Sequence, residues 1–192
     1  MRYSLGEYAR FYRKKYDIPV IGITGSCGKT TTKELIAQGL SGHFNILKNT
    51  GTQNNDIGLP MTLLELADHT LCVSELGTNH FGEIKRLTQI LEPTIGVVTN
   101  IGKSHLEYFK TRQGVLKEKA DLFHLPQTRI GILNGDDLYA GKMRTLCPGA
   151  NRVWIEYGIR KGNQMRAQRI RQDEKGIHFT VNGIKVSLRL FG

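Results

Sequence analysis

The strongest constraint on the fold is a regular alternation of short apolar runs with helical segments between residues 18 and 145. The apolar runs cover residues 18–23, 44–47, 71–74, 95–99 and 130–133, and the helical segments cover 29–40, 57–66, 82–91, 111–123 and 137–145. Apolar strands separated by helices indicate a parallel sheet that is buried on both faces. We therefore predict an α/β fold with a mostly parallel sheet flanked by helices.

The N-terminal segment has the periodicity of a short amphipathic helix. Ser4 is a candidate N-cap, and apolar side chains then recur every three or four residues, at Leu5, Tyr8, Tyr12 and Tyr16. The segment is basic, and it lacks the apolar stretch and the cleavage site of a secretory signal. We predict a linker helix over residues 1–17.

The C-terminal segment has a different pattern, with short runs at 153–157, 165–170, 176–181 and 184–190. The last two runs alternate apolar and polar residues around Asn182-Gly183, and such a dipeptide is typical of a tight β-hairpin turn. We therefore predict a core at residues 18–148, followed by a small antiparallel β subregion at 149–192.

Composition excludes some classes of protein. The chain carries a formal net charge of +10, but its basic residues are spread along the sequence without a recognisable nucleic-acid motif, so we expect no specific nucleic-acid partner. No run approaches the about 18 to 20 apolar residues of a membrane span. The three cysteines, Cys27, Cys72 and Cys147, lack the spacing of a metal site or a disulfide framework. We expect a cytoplasmic monomer with free thiols and no membrane partner.

A glycine-rich segment, TGSCGKTT at residues 24–31, joins the first apolar run to the first long helix. Backbone N–H groups of such a turn can bind phosphate, Lys29 can neutralise phosphate charge, and the Thr30 hydroxyl can bind Mg²⁺. The chain has Ile23 where the general P-loop pattern requires glycine. We nevertheless predict a P-loop for ATP and Mg²⁺, whose candidate nucleotide-binding residues are Thr24, Gly25, Ser26, Cys27, Gly28, Lys29, Thr30 and Thr31.

The segment TGSCGKTTTKE at residues 24–34 resembles the phosphate loop of the Mur ligases, which are ATP-dependent enzymes that build the peptide of peptidoglycan. The resemblance continues in order through NNDIGLPMTLL (54–64), ELGTNHFGEI (75–84), TNIGKSHLE (99–107), KEK (117–119) and LNGDD (133–137). It covers roughly residues 10 to 192, and it implies an ATP-binding central domain of this family.

Within the family, the segments at 54–64 and 82–84 most resemble ligases that add D-alanyl-D-alanine to UDP-N-acetylmuramoyl-tripeptide. The resemblance implies that a substrate carboxylate attacks the γ-phosphate of ATP, and that an amine displaces the resulting acyl phosphate. Family members also have an N-terminal domain for the UDP-sugar and a C-terminal domain. We expect this chain to lack both domains and to bind nucleotide without completing ligation.

Three residues are implied in metal binding and catalysis. Glu75 follows an apolar run, where parallel sheets place ligands, and a carboxylate suits Mg²⁺. The resemblance gives Glu75 a role as a Mg²⁺ ligand and His105 a role as a ligand of a second Mg²⁺, and it gives Lys119 a carbamate made from CO₂. His105 and Lys119, like Lys29, are candidate catalytic residues. Since carbamylation requires a neutral amine, the site must lower the pKa of Lys119. From the residues alone, Lys119 belongs to a charged segment that normally lies on a solvated helix face.

The remaining candidates lie near the nucleotide base and the acceptor. The resemblance places Asn134 near the adenine, and Asn54, Asn55 and His80 on the substrate side of the cleft. Asp136 and Asp137 are equally well explained as caps of the next helix. Many relatives have asparagine where this chain has Thr52, so a polar contact near the γ-phosphate or the metal is expected to differ.

Two other functions remain open at this point. A stand-alone ATP-binding module or phosphotransferase would use the same loop with a different acceptor. A nonspecific nucleic-acid binder would act through the net positive charge, and its binding would depend on salt and not on ATP.

Overall fold

The computed structural model describes residues 2–149 and 151–189, which form one nine-stranded sheet with helices on both faces. The strands are β1 (Val20–Thr24), β2 (Ile46–Lys48), β3 (Leu71–Glu75), β4 (Ile95–Val98), β5 (Ile130–Asn134), β6 (Val153–Gly158), β7 (Met165–Asp173), β8 (Gly176–Val181) and β9 (Ile184–Leu188). The helices are α1 (Arg2–Arg13), α2 (Lys29–Leu40), α3 (Gly58–Leu63), α4 (Glu83–Leu91), α5 (Leu106–Phe109), α6 (Arg112–Ala120) and α7 (Ala140–Leu146), with a 3₁₀-helix at Asp121–Phe123.

The strand order is β2-β3-β1-β4-β5-β6-β7-β8-β9. Pairing is parallel from β2 to β7 and antiparallel between β7, β8 and β9. The predicted α/β fold, with its mostly parallel sheet and antiparallel C-terminal strands, is therefore confirmed. Because parallel strands end at the same edge, the loops after β1, β3, β4 and β5 lie together, and this edge carries the candidate site.

One face of the sheet has a row of small residues. Gly22, Gly96 and Gly131 occupy matching positions on β1, β4 and β5. A Cβ atom on Gly96 would lie 2.5 Å from the Phe123 ring, and one on Gly131 would lie 2.3 Å from the Trp154 ring. The row therefore lets the 3₁₀-helix after α6 lie directly on the sheet, which fixes where α6 and its Lys119 are held.

The opposite face is covered by α2. Its Ile36 and Leu40 pack against a second apolar cluster that includes Ile23, Val73 and Val97. Since α2 begins directly after the glycine-rich loop, this packing fixes the position of the helix N-terminus at the edge where the strands end.

Both ends of the chain differ in detail from the predictions. In α1 the buried residues are Gly6, Ala9 and Arg13, whereas Tyr8 is exposed, so the predicted apolar stripe is shifted. Helix α1 packs against α3 and α4, because Gly6 allows close approach to Ile90. Ser4 lies inside the helix and does not cap it.

The expected antiparallel subregion begins later than residue 149. β6 pairs parallel to β5 from Val153 opposite Ile130 to Tyr157 opposite Asn134, so it belongs to the parallel sheet. In residues 2–149 and 151–189, antiparallel pairing is confined to β7, β8 and β9. Asn182 and Gly183 have positive φ (50° and 83°) in the predicted hairpin turn. The predicted last run reaches residue 190, which lies outside the described residues.

Within the described ranges 2–149 and 151–189, the helices are too short or too polar to cross a lipid bilayer.

Candidate functional site

The glycine-rich loop after β1 is held in place by the loop that follows β4. The backbone carbonyl of Asn100 accepts from the Ser26 N–H (3.1 Å), and the Asn100 side-chain oxygen accepts from the Cys27 N–H (3.0 Å). The Cys27 carbonyl in turn accepts from the Thr99 hydroxyl (2.6 Å) and the Asn100 amide (3.1 Å). The backbone at Ser26 and Cys27 is therefore fixed before any ligand arrives.

Two further contacts tighten this junction. The Ser26 hydroxyl accepts from the Gly102 N–H (2.8 Å) and lies 2.9 Å from the Ser104 hydroxyl. Gly25 leaves no space for a side chain, because a Cβ atom there would lie 1.8 Å from Thr99 Oγ1. The buried Thr24 hydroxyl donates to the carbonyl of Leu76, after β3.

The loop ends at the N-terminus of α2. Gly28 adopts a left-handed conformation (φ 79°) immediately before Lys29, the first residue of the helix. Thr30 and Thr31 follow in the first turn and are exposed. A helix N-terminus presents free N–H groups and a partial positive charge, so this end of α2 favours an anion such as phosphate.

Glu75 is held beside this helix at the end of β3. It is only 4% exposed. One carboxylate oxygen accepts from the Thr30 hydroxyl (2.7 Å), and the other accepts from the Asn54 amide (2.8 Å). Asn49 pairs with the backbone of the same residue, since its amide accepts from the Glu75 N–H (2.9 Å) and donates to the Glu75 carbonyl (3.0 Å).

These residues fit Mg²⁺ in their chemistry. Thr30 and Glu75 offer neighbouring hydroxyl and carboxylate oxygens, and Mg²⁺ usually takes one or two protein ligands together with phosphate and water. In residues 2–149 and 151–189, no group of three or more His, Cys, Asp and Glu side chains is arranged to hold a metal. The two oxygens of Thr30 and Glu75 suit a metal whose remaining ligands come from a bound nucleotide and water.

A polar cleft of about 670 Å³ opens next to the loop. Lys29 and His105 line it, together with Thr52, Asn54 and Asn55. His105 is exposed and has a positive φ of 49° just before α5, and its ring meets the Phe109 ring edge-on at 6.3 Å. Two of the predicted catalytic residues, Lys29 and His105, thus line one cleft.

The predicted substrate residues have local structural partners as well. The Asn54 amide binds Glu75, and the Asn55 side-chain oxygen accepts from the N–H groups of Ile57 and Gly58 at the start of α3. His80 is exposed, and its ring lies tilted by 58° against the Tyr108 ring, with 4.3 Å between the ring centroids. Asn54 and Asn55 line the cleft, whereas His80 lies outside its lining.

Helix α6 carries two adjacent buried residues of opposite charge. Glu118 is 1% exposed and accepts from the N–H groups of Gly82 (2.7 Å) and Ile84 (2.8 Å) and from the Thr78 hydroxyl (3.1 Å). Lys119 is 2% exposed, and burial, with the nearby charge of Lys29, lowers its pKa from 10.5 to about 8. The expectation that this segment lies on a solvated helix face applies only to the exposed Lys117.

Asn134 lies at the end of β5, next to the loops described above. Its side-chain oxygen accepts from the Asp136 N–H (3.0 Å). Asp137 accepts from the N–H groups of Ile101 (2.6 Å) and Tyr139 (2.8 Å), so it fixes the loop after β4 to the approach of α7. Asp136 instead accepts from Ile159 and Arg160 after β6. Neither aspartate is the N-cap of α7, a position that Tyr139 occupies.

Sequence reasoning missed several residues that hold the site together, namely Asn49, Asn100, Glu118 and the buried Lys33. Asn100 and Glu118 lie inside segments that carry the family resemblance, so their position in those segments was a usable signal. Lys33 also lies inside such a segment, at 24–34, although a lysine in a helix is normally exposed. Asn49 gave no local signal, because an asparagine after an apolar run is normally exposed.

The chain is similar in sequence to a known protein family. The Mur ligase middle domain family matches residues 23–192. UDP-N-acetylmuramoyl-tripeptide--D-alanyl-D-alanine ligases from Synechocystis and Bacillus subtilis are 36% and 34% identical over 94% and 95% of the chain. The chain spans only 38% and 39% of the length of these relatives.

Two solved structures show the same fold over nearly the whole chain. MurF from Acinetobacter baumannii matches with a TM-score of 0.91 and 32% identity, over 100% of this chain and 43% of that one. MurF from Thermotoga maritima in complex with ADP matches with a TM-score of 0.85 and 25% identity, over 97% of this chain and 44% of that one. The chain therefore belongs to the Mur ligase family, in which it corresponds to the middle domain.

Proposed function

We propose that this chain binds Mg–ATP and forms the nucleotide-binding part of a ligase that adds D-alanyl-D-alanine to UDP-N-acetylmuramoyl-tripeptide. The observation that carries the proposal is the preformed phosphate loop, which is fixed by Asn100 and followed by the Thr30–Glu75 pair. The similarity to ligases named for this reaction, and to a MurF structure with ADP, supports the assignment of nucleotide and acceptor.

The loop and the start of α2 would bind the phosphates of ATP. Backbone N–H groups beyond Gly28 face the anion, and Lys29 adds a full positive charge where the helix begins. Phosphoryl transfer depends mainly on positioning and on neutralising the charge of the transferred group. Thr24, Gly25 and Ser26 would hold the turn in the conformation that binds phosphate, because their contacts within the protein fix it.

Thr30 and Glu75 would hold one Mg²⁺, and His105, which lines the cleft, would be a ligand of a second Mg²⁺. When bound with ATP, Mg²⁺ neutralises phosphate charge. Glu75 would keep its carboxylate aimed at Thr30 because Asn54 holds the second carboxylate oxygen. Asn134 would contact the adenine from the end of β5.

Lys119 would carry a carbamate. The reaction with CO₂ needs a neutral amine, and a pKa of about 8 leaves a useful neutral fraction near physiological pH, unlike an ordinary lysine. The positive charge of Lys29, which contributes to the lowered pKa, would then face an anionic group. The acceptor carboxylate would enter the cleft between Lys29 and His105, lined by Thr52, Asn54 and Asn55.

Two assays test the two parts of this proposal. Titration of the chain with ATP is expected to show binding that Mg²⁺ strengthens. The complete gene product that contains residues 1–192 is expected to convert UDP-N-acetylmuramoyl-tripeptide, D-alanyl-D-alanine and ATP into the pentapeptide product, ADP and phosphate. A gene product that binds Mg–ATP but uses another acceptor would contradict the second part only.

A further inference from the structure

We propose that Asn49 is a positioning residue that holds Glu75 in place for the metal of bound Mg–ATP, with the buried Lys33 as its anchor. This inference rests on the proposed function. It adds to that function a pair of buried residues that do not line the cleft.

The first step is the geometry of Asn49. The residue directly follows β2 and is 1% exposed. Its amide nitrogen donates to the carbonyls of Glu75 (3.0 Å) and Gln53 (2.9 Å), and its side-chain oxygen accepts from the Glu75 N–H (2.9 Å). Both side-chain atoms of Asn49 are therefore used to fix two other segments of the chain.

The second step is where this contact lies in the sheet. The backbone pairing of β2 with β3 ends at Lys48 opposite Val73, two residues before Glu75. A carboxamide offers the same donor and acceptor as a peptide group, so the Asn49 side chain extends the pairing to the last residue of β3. On its β1 side Glu75 pairs with Ile23, and on its β2 side, where the strand no longer reaches it, the Asn49 side chain takes the place of the strand.

The third step is that the carboxylate is fixed as well. Its two oxygens accept from Thr30 (2.7 Å) and Asn54 (2.8 Å). Asn54 belongs to the same loop as Gln53, whose carbonyl Asn49 also binds. Asn49 therefore controls the backbone of Glu75 directly and the partner of its carboxylate through the loop.

The buried Lys33 holds the backbone of Asn49 in place. The side chain is 1% exposed, and its amine donates to the Asn49 carbonyl and lies 3.2 Å from Glu34 Oε1. A buried ammonium is costly unless it is paired, so this contact is a strong constraint. Since Lys33 lies one turn after Thr30 in α2, it fixes the distance between the helix that carries Thr30 and the strand that carries Glu75.

The experiment compares ATP affinity with MgCl₂ and with EDTA, for the unaltered chain, Asn49→Ala and the control Asn45→Ala. Asn45 is exposed and lies on the other end of β2, away from the site. We expect Asn49→Ala to weaken Mg–ATP binding about tenfold, as changes behind a metal ligand commonly do, and to leave metal-free ATP binding unchanged. Asn45→Ala is expected to match the unaltered chain in both conditions.

Other outcomes separate the explanations. An equal loss with and without Mg²⁺ would show that Asn49 only supports the fold, and no loss would show that Glu75 is placed without it; either result overturns the inference. If the unaltered chain binds no ATP, the proposed function itself fails.

If Asn49→Ala does not fold, Lys33→Met gives the same test, because it removes the anchor and leaves the Asn49 amide in place. A smaller loss that appears only with Mg²⁺ is expected, and an unchanged Mg²⁺ dependence would overturn the inference.

Discussion

The phosphate loop and the cleft beside it are adjacent, yet they are built differently. The backbone of Ser26 and Cys27 is tied to Asn100, and Gly25 has no room even for a methyl group. Across the cleft, Thr52 and His105 are exposed. The difference indicates that the proposed nucleotide side is preformed, whereas the proposed acceptor side presents exposed side chains to a ligand.

The largest effect is expected when a side chain is placed in the tightest part of the phosphate loop. Gly25→Ala would push a methyl group into Thr99, and we expect a loss of about 3 kcal/mol in the free energy of unfolding together with loss of ATP binding. Urea denaturation and ATP titration measure the two effects.

Gly39→Ala is the matched control for this change. Gly39 lies inside α2 with open space around it, so alanine should stabilise the helix by up to about 1 kcal/mol. A Gly25→Ala protein as stable as the unaltered chain would show that the loop is not preformed.

The burial of Lys119 in α6 should lower the free energy of unfolding. Its folded pKa of about 8 lies below its usual value of 10.5, so the cost of burying the ammonium is fully present below pH 8 and disappears as the pH rises towards 10.5. We expect Lys119→Met to raise the free energy of unfolding at pH 7 by up to about 3 kcal/mol, without carbamate.

Urea denaturation at pH 7 and pH 9.5 in CO₂-free buffer checks this prediction, and the gain should shrink at the higher pH. The exposed Lys117→Met provides the control, for which a small difference independent of pH is expected. A Lys119→Met protein that is less stable than the unaltered chain at pH 7 would show that the amine is stabilised by its surroundings.

The variant Glu118→Ala tests whether the structure of the proposed acceptor side depends on a single buried carboxylate. Removing it in Glu118→Ala leaves the N–H groups of Gly82 and Ile84 without their acceptor, and we expect a loss of about 2 kcal/mol in stability. Mg–ATP affinity should change less than about twofold, since these contacts lie outside the phosphate loop.

The exposed Glu107→Ala serves as the control and should leave stability unchanged within about 0.5 kcal/mol. Hydrogen exchange at Gly82 and Ile84 reports the local effect of Glu118→Ala. A large loss of ATP affinity without faster exchange there would mean that the two sides of the site are not independent.

The smallest effect is expected at Ser26. Ser26→Ala removes the acceptor for the Gly102 N–H and should cost about 1 kcal/mol of stability, with an ATP affinity reduced a few-fold. Cys27→Ala is the paired control, because the contacts of Cys27 with Thr99 and Asn100 are made by its backbone. Thermal unfolding with and without ATP distinguishes the two variants, and equal behaviour would contradict a role for the Ser26 hydroxyl.

Local sequence patterns predicted the elements of the fold well. The apolar run at 71–74 is β3, and Asn182-Gly183 forms the predicted turn with both residues at positive φ. The direction in which β6 pairs was not predictable, because a short apolar run can pair in either orientation and its partner is chosen by distant residues.

Site residues could be predicted from the sequence where the backbone conformation requires a particular residue type. They were harder to predict where their role depends on whether the folded protein buries the side chain. Gly25 and Gly28 follow from the geometry of the turn. The burial of Glu118 depends on how the 3₁₀-helix after α6 packs on Gly22 and Gly96, which a charged helical segment does not reveal. Tertiary packing, not local propensity, thus places the acidic and basic residues of α6.

The most direct test of the central claim is calorimetric titration with Mg–ATP of the unaltered chain, Lys29→Ala and the exposed control Lys185→Ala. We predict that the unaltered chain and Lys185→Ala bind equally well, and that Lys29→Ala binds about 30-fold more weakly, as expected for the loss of a charged phosphate contact worth about 2 kcal/mol. Equal binding by all three proteins, or no binding by the unaltered chain, would contradict the assignment of residues 24–31 as the ATP site.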